Sequence, residues 1–264
     1  MQSSNNPEEL LFTDSEGQRG RLEDIIDDGL DGGYEDRIPA LINLLNSGEP
    51  YYRLLACVML TCWGHPSGFQ QIIDWASHTE NVPWKESPVV YERLSGSDSA
   101  FEMLADALNT SYYCDEEPIL KQWQIAATKA LLGIYHHYYF GRILALSIVR
   151  NKEVAIAVKH EVITAIEASI VILQKPKPVG FDLAFQIACL LIPLTPLDDD
   201  AAANYANQLS YQYPKNERVL REIANALGDG KGQATLATLQ HLKTLQIPSL
   251  ESDVEKAINR RSNI

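Results

Sequence analysis

Between Tyr135 and Phe140 the chain sets two adjacent histidines, His136 and His137, among three tyrosines and a phenylalanine. Neighbouring imidazoles raise the question of a metal or cofactor pocket. On a helix, adjacent side chains diverge by about 100°, and a helical metal site takes ligands at i and i+3 or i+4. No carboxylate or cysteine lies within four positions of either histidine. The segment is expected to be a helix end and turn, with large amphipathic rings sealing the junction between two structural repeats. Cys62 and His65 do have helical ligand spacing, but Gly64 and Pro66 break the helix between and after them. Two ligands also fall short of the three or four that zinc takes.

Other chemistry-bearing stretches read the same way. The acidic run from Glu23 to Asp36 misses the alternating-aspartate register of an EF-hand and lacks its closing glutamate. "GDGKGQAT" (228–235) has glycines and a lysine, yet no strand precedes it, as a phosphate loop requires; a helix–helix turn is expected. Asp198, Asp199 and Asp200 read as the N-cap and first-turn acids of a helix. The four cysteines, Cys57, Cys62, Cys114 and Cys189, contain no C-x-x-C pair and are expected to be free thiols, mostly buried. Neither a metal nor a cofactor is expected.

Contact chemistry remains. Tyr51 and Tyr52 stand at an expected helix start, Trp84 lies in "VPWKESP", and Tyr112 and Tyr113 precede Asp115, Glu116 and Glu117. Loop aromatics beside charge suit partner contacts, and a surface rimmed by the four tyrosines is one expectation. Acids supply the rest, among them Asp27, Asp28 and Asp31. Net charge is −13 over 264 residues, but residues 1 to 36 hold eleven acids against Arg19 and Arg21. The body is therefore nearly neutral and its N-terminal arm strongly acidic. That balance disfavours a nucleic-acid backbone reader and suits a basic protein partner.

These residues need elements to hold them, and the elements are helical. Ile38, Leu41, Ile42 and Leu45 repeat at i, i+3, i+4, i+7; Leu55, Val58, Met59 and Cys62 do so one helix later; Leu183, Ile187, Leu190, Leu191 and Leu194 again. No sustained alternation of period two marks a strand. Helices are expected near 21–30, 37–47, 50–63, 66–79, 87–95, 98–110, 117–135, 138–150, 153–173, 180–194, 199–212, 216–228, 231–245 and 250–262. Residues 1–20 are expected to be a flexible acidic segment and 21–264 a single domain, with a kink near 174–180 at the lysine-proline stretch. The apolar run 183–194 is well short of the roughly 20 residues that span a bilayer. The first ten residues carry no basic and apolar leader pattern, so a cytoplasmic protein without membrane contact is expected.

Pro50, Pro88, Pro118 and Val154 open similar segments 38, 30 and 36 residues apart. Helix pairs at such periods mark an α-solenoid. In "IPALINLLNSGEPYYRLLACVML" (38–60) a leucine-rich helix, a short polar turn and a second helix with Arg53 and Ala56 follow one another. This stretch resembles the HEAT-like, armadillo-type repeat family, although Gln122 stands where the later repeat at 116–133 would carry the arginine. The resemblance implies an all-α solenoid of helical hairpins working as a non-catalytic protein-binding module, such as an immunity or antitoxin-type protein or an assembly adaptor. Its enzymatic alternative is a bilin lyase, in which Tyr112, Tyr113, Trp123 and His136 would bear on the tetrapyrrole. HEAT-like DNA glycosylases need a basic groove, and this body is not basic in sum.

Overall fold

Helices begin where the sequence puts proline or a short polar side chain. Proline fits the first turn because its missing N–H would have no partner there. Asn151, Asp182, Asp198 and Asn216 each accept a backbone N–H two or three residues on, satisfying donors that the first turn leaves unpaired. The computed structural model describes residues 6–14, 16–85, 99–114, 118–175 and 179–261. Among them are fifteen α-helices and no strand; the only extended pairing is an isolated bridge between Thr13 and Arg19. The chain is all-α.

It divides into two compact units, Met1–Ile134 and Tyr135–Ile264. The first holds α1 (Pro7–Phe12), α2 (Leu22–Leu30), α3 (Ile38–Ser47), α4 (Pro50–Cys62), α5 (Pro66–Ser77), α6 (Ala100–Thr110) and α7 (Pro118–Gly133). The second holds α8 (Ile143–Arg150), α9 (Lys152–Ala157), α10 (Lys159–Leu173), α11 (Leu183–Leu194), α12 (Asp199–Gln212), α13 (Glu217–Leu227), α14 (Gln233–Thr244) and α15 (Pro248–Arg261). The boundary between the units falls after Ile134.

Packing within each unit has a two-row pattern. In the first, α4 packs on α6 and α5 on α7, while α3–α4, α4–α5 and α6–α7 join neighbours. In the second, α11, α13 and α15 pack in one row and α12 and α14 in the other, stitched by each successive pair. The α3–α4 hairpin is closed by Arg53, whose Nε donates to the Leu45 carbonyl at 2.9 Å. That contact pairs an otherwise open carbonyl at the end of α3. Ala56 is fully buried on α4, where a small side chain lets helices approach.

A close helix approach lies at Gly68 in α5. A Cβ there would stand 2.5 Å from the backbone nitrogen of Thr61 and 2.9 Å from the carbonyl carbon of Leu60. Alanine ordinarily improves a helix interior by about 1 kcal/mol over glycine. Here Gly68→Ala is expected to lower stability instead, by about 1–3 kcal/mol, because backbone must move. A chemical-denaturation midpoint at or above that of the parent would contradict this packing.

Three helix expectations need correction. Residues 138–142 are not helical: α8 starts at Ile143, and Gly141 sits at φ 52°. The expected helix 153–173 is two helices, α9 and α10, parted at Val158. Residues 7–12, expected within a flexible segment, form α1, because Leu10 and Leu11 are buried and its proline opens the first turn. The expected helix 87–95 lies outside the described residues.

Candidate functional site

The acidic segment is docked, not loose. Leu10, Leu11, Ile25, Ile26 and Tyr34 alternate with the acids and are buried. Trp63, at the end of α4, donates its Nε1–H to the Ile26 carbonyl at 3.0 Å and stacks on Tyr34 at 5.7 Å. Its ring fills the space where a side chain on Gly29 would lie. With its apolar face fixed, α2 turns Glu23, Asp27 and Asp28 to solvent, followed by Asp31, Glu35 and Asp36. The nearby cations do little to neutralise them. Arg37 points inward, donating to the carbonyls of Leu10 and Asp14 at 3.3 and 3.2 Å and lying 4.1 Å above the Tyr34 ring. Arg21 pairs with Asp24 and Arg19 with Glu8. The Arg21 hydrogen bonds hold the Asp24 carboxyl below the usual range. Among the described residues no ion pair reaches Asp27, Asp31, Glu35 or Asp36.

The four tyrosines fall into two pairs toward opposite ends of α4. Tyr51 and Tyr52 start α4, where the Tyr52 hydroxyl donates to Glu8 Oε1 at 2.8 Å and Tyr51 is 42% exposed. Tyr112 and Tyr113 follow α6 in a 3₁₀ turn, Ser111–Tyr113. The next residue, Cys114, donates its thiol to the Cys62 carbonyl at 3.2 Å, at the other end of α4. Cys62 lies eleven residues after Tyr51 on the helix, about 16 Å along the axis. Tyr113, 65% exposed, therefore shares its end of α4 with Trp63 and the α2 acids. Tyr112 is half-buried. The Asp28 carboxylate accepts from Tyr34 at 3.3 Å. Asp115, Glu116 and Glu117 lie outside the described residues.

Trp84 is a correction. Its flanking Pro83 and Lys85 suggest a displayed ring, but it is only 1% exposed. It meets Trp75 and Phe101 edge-on, at 4.9 and 5.6 Å between centroids. Its expected role as a contact anchor fails because the ring is core.

The histidine stretch forms the helix end and turn expected of it. Tyr135 and Phe140 are buried and stacked at 5.3 Å. The turn is held by a residue that the sequence reading passes over, Gln186 in α11. Its Nε2 donates to the Tyr135 and Tyr138 carbonyls at 2.8 and 3.0 Å, and its Oε1 accepts the Phe140 N–H at 2.8 Å. The Tyr135 hydroxyl returns a bond to the Gln186 carbonyl at 2.7 Å. The imidazoles lie 4.0 Å apart. Burial, with His137 and Lys175 adding to it, pushes the His136 pKa down, which favours the neutral ring. Among the described residues no three or more His, Cys, Asp or Glu side chains converge as a metal site.

The glycine stretch 228–232 is occupied by the chain itself. Asp199 accepts from Thr235 Oγ1 at 2.9 Å, and its carboxylate would stand 2.2 Å from a Cβ on Gly232. A carboxylate in that position repels phosphate. Cys57, Cys62 and Cys189 are buried free thiols, and burial drives their pKa up, which disfavours the reactive thiolate.

One cleft was not expected from sequence. It lies within the second unit, has a volume of about 440 Å³, and is lined chiefly by α13 and α15 with Arg142 and Phe185. Arg218 lies 3.6 Å above the Phe185 ring. Glu222, with 8% of its side chain exposed, holds its Oε1 3.1 Å from Arg142 Nε. Burial raises the Glu222 pKa; Arg142, Asn225 and Arg218 oppose the shift without cancelling it. The thiol of Cys189 and the hydroxyl of Tyr135 also face it. A carboxyl with a raised folded-state pKa stabilises most below its ordinary range, near 4.3, and loses that contribution as pH climbs through the raised value. Glu222→Gln is therefore expected to gain stability over the parent between pH 4 and 8. Thermal melts across that range test it, and a constant difference between the two proteins would contradict it.

No helix among the described residues is long and apolar enough to cross a membrane. No family model, curated protein or solved structure matches the chain.

Proposed function

We propose that the chain is a non-catalytic binding module built of HEAT-like helical hairpins, and that its first unit takes a basic protein partner. The two-row packing within each unit and the Arg53-closed hairpin of α3 and α4 support the repeat reading. The observation that carries the binding reading is the end of α4. There Trp63 fixes α2 so that Asp27, Asp31, Glu35 and Asp36 face solvent without ion pairs among the described residues, and exposed Tyr113 flanks the same helix end. Uncompensated acids speed encounter with a cationic surface, and an exposed tyrosine beside them supplies an anchor of low entropy cost. An immunity-type inhibitor of a basic toxin and an assembly adaptor are the two roles that fit such a face.

Deleting residues 1–36 would not test this, since α1 and α2 carry buried core. Affinity capture from native extract, comparing the parent with Asp27→Asn, Asp31→Asn and Tyr113→Ala combined, does. A basic protein retained by the parent, released by rising salt and lost by the variant is the expected result. Equal retention by both would overturn the proposal.

A further inference from the structure

The cleft of the second unit has the opposite character from the acidic face. In a chain of net charge −13, five of its lining residues are cationic, namely Arg142, Arg218, Arg221, Lys256 and Arg260. The lining carboxylates are Glu217, Glu222 and Asp253. Their pairings are uneven. Asp253 serves both Arg221 and Lys256, the latter at 3.8 Å, and Glu222 serves Arg142. Arg260 is taken by Asp229, outside the lining, at 3.2 Å. Among the described residues Arg218 has no carboxylate within ion-pairing distance.

Two features make this more than a surface ion-pair network. Arg218 lies with its guanidinium carbon 3.6 Å over the Phe185 ring, and stacking on an aromatic face leaves guanidinium N–H groups free to donate. A fixed guanidinium fork matches the oxygens of a phosphate bidentately. Beside it, the nearly buried Glu222 holds its Oε1 3.1 Å from Arg142 Nε, out of hydrogen-bond alignment, and a carboxylate oxygen can accept a further donor. Cleft volume falls within the range of small-molecule sites.

We propose that the cleft binds a small phosphate monoester bearing a free hydroxyl. The phosphate is gripped by Arg218, with Arg221 and Lys256 neutralising it across the cleft, and the hydroxyl donates to Glu222. This site is independent of the acidic face in the first unit.

Calorimetric titration of the full chain with glycerol phosphate, against inorganic phosphate and against chloride at matched ionic strength, tests it. The expected result is saturable binding of glycerol phosphate above the chloride control. Arg218→Ala, at an exposed position, should weaken it roughly tenfold or more, the worth of a charge-assisted hydrogen bond. Lys256→Ala, whose side chain is 75% exposed and whose loss leaves the core intact, should weaken it severalfold. Glu222→Gln should reduce the preference for glycerol phosphate over inorganic phosphate while leaving inorganic phosphate bound. No saturable binding by the parent, or affinity unchanged in both Arg218→Ala and Lys256→Ala, would overturn the proposal.

Discussion

Gln186→Leu is expected to cost the second unit on the order of 3–6 kcal/mol. The substitution keeps the size and apolar fit of α11 but strips three partners from one turn. The Phe140 N–H loses its acceptor, and the carbonyls of Tyr135 and Tyr138 lose their donor. Each buried backbone group left unpaired costs about 1–3 kcal/mol, and a domain has only about 5–15 kcal/mol in hand. Tyr135→Phe removes one bond, from the hydroxyl to the Gln186 carbonyl, and should cost about 1 kcal/mol. Urea denaturation followed by circular dichroism should order the proteins as parent, Tyr135→Phe, then Gln186→Leu. A Gln186→Leu midpoint no lower than that of Tyr135→Phe would show that the turn is held by its rings alone.

Trp84→Ala should be comparably damaging to the first unit, at about 3–5 kcal/mol. The ring is enclosed by Trp75 and Phe101, so truncation leaves a cavity that large neighbours cannot collapse to fill. Tyr113→Ala supplies the contrast: at 65% exposure it should change stability by no more than about 0.5 kcal/mol. The pair separates a folding residue from a contact residue, although both were read from sequence as displayed aromatics. Equal denaturation midpoints for the two variants would contradict the burial of Trp84.

Those two tryptophan and tyrosine positions show what sequence patterns carry and what they leave out. Helical stripes and capping residues are local, so α3, α4, α5 and α11 to α14 lie close to where periodicity puts them. The short α1 has only six residues, fewer than a periodic pattern needs, and its burial comes from docking. What holds the turn after Tyr135 failed to show because its hydrogen bonds come from Gln186, about 50 residues later in the chain. A signal was present: Gln186 is the lone polar side chain in "LAFQIACLLIPL", and a fully buried amide must find partners. Trp84 misled because proline and lysine neighbours report on the backbone's exposure and not on the ring's. The cationic cleft was illegible for a different reason. Arg142, Arg218 and Lys256 sit on three separate segments, and only folding brings them together inside a chain whose total charge points the other way.

Carbodiimide cross-linking tests the central functional claim most directly, because it joins carboxylates to lysines in contact. Applied to the full chain with its captured partner and read by peptide mass spectrometry, it should link lysines of the partner to Asp27, Asp31, Glu35 or Asp36. Partner links confined to carboxylates of the second unit, with none at the α2 acids, would contradict the account.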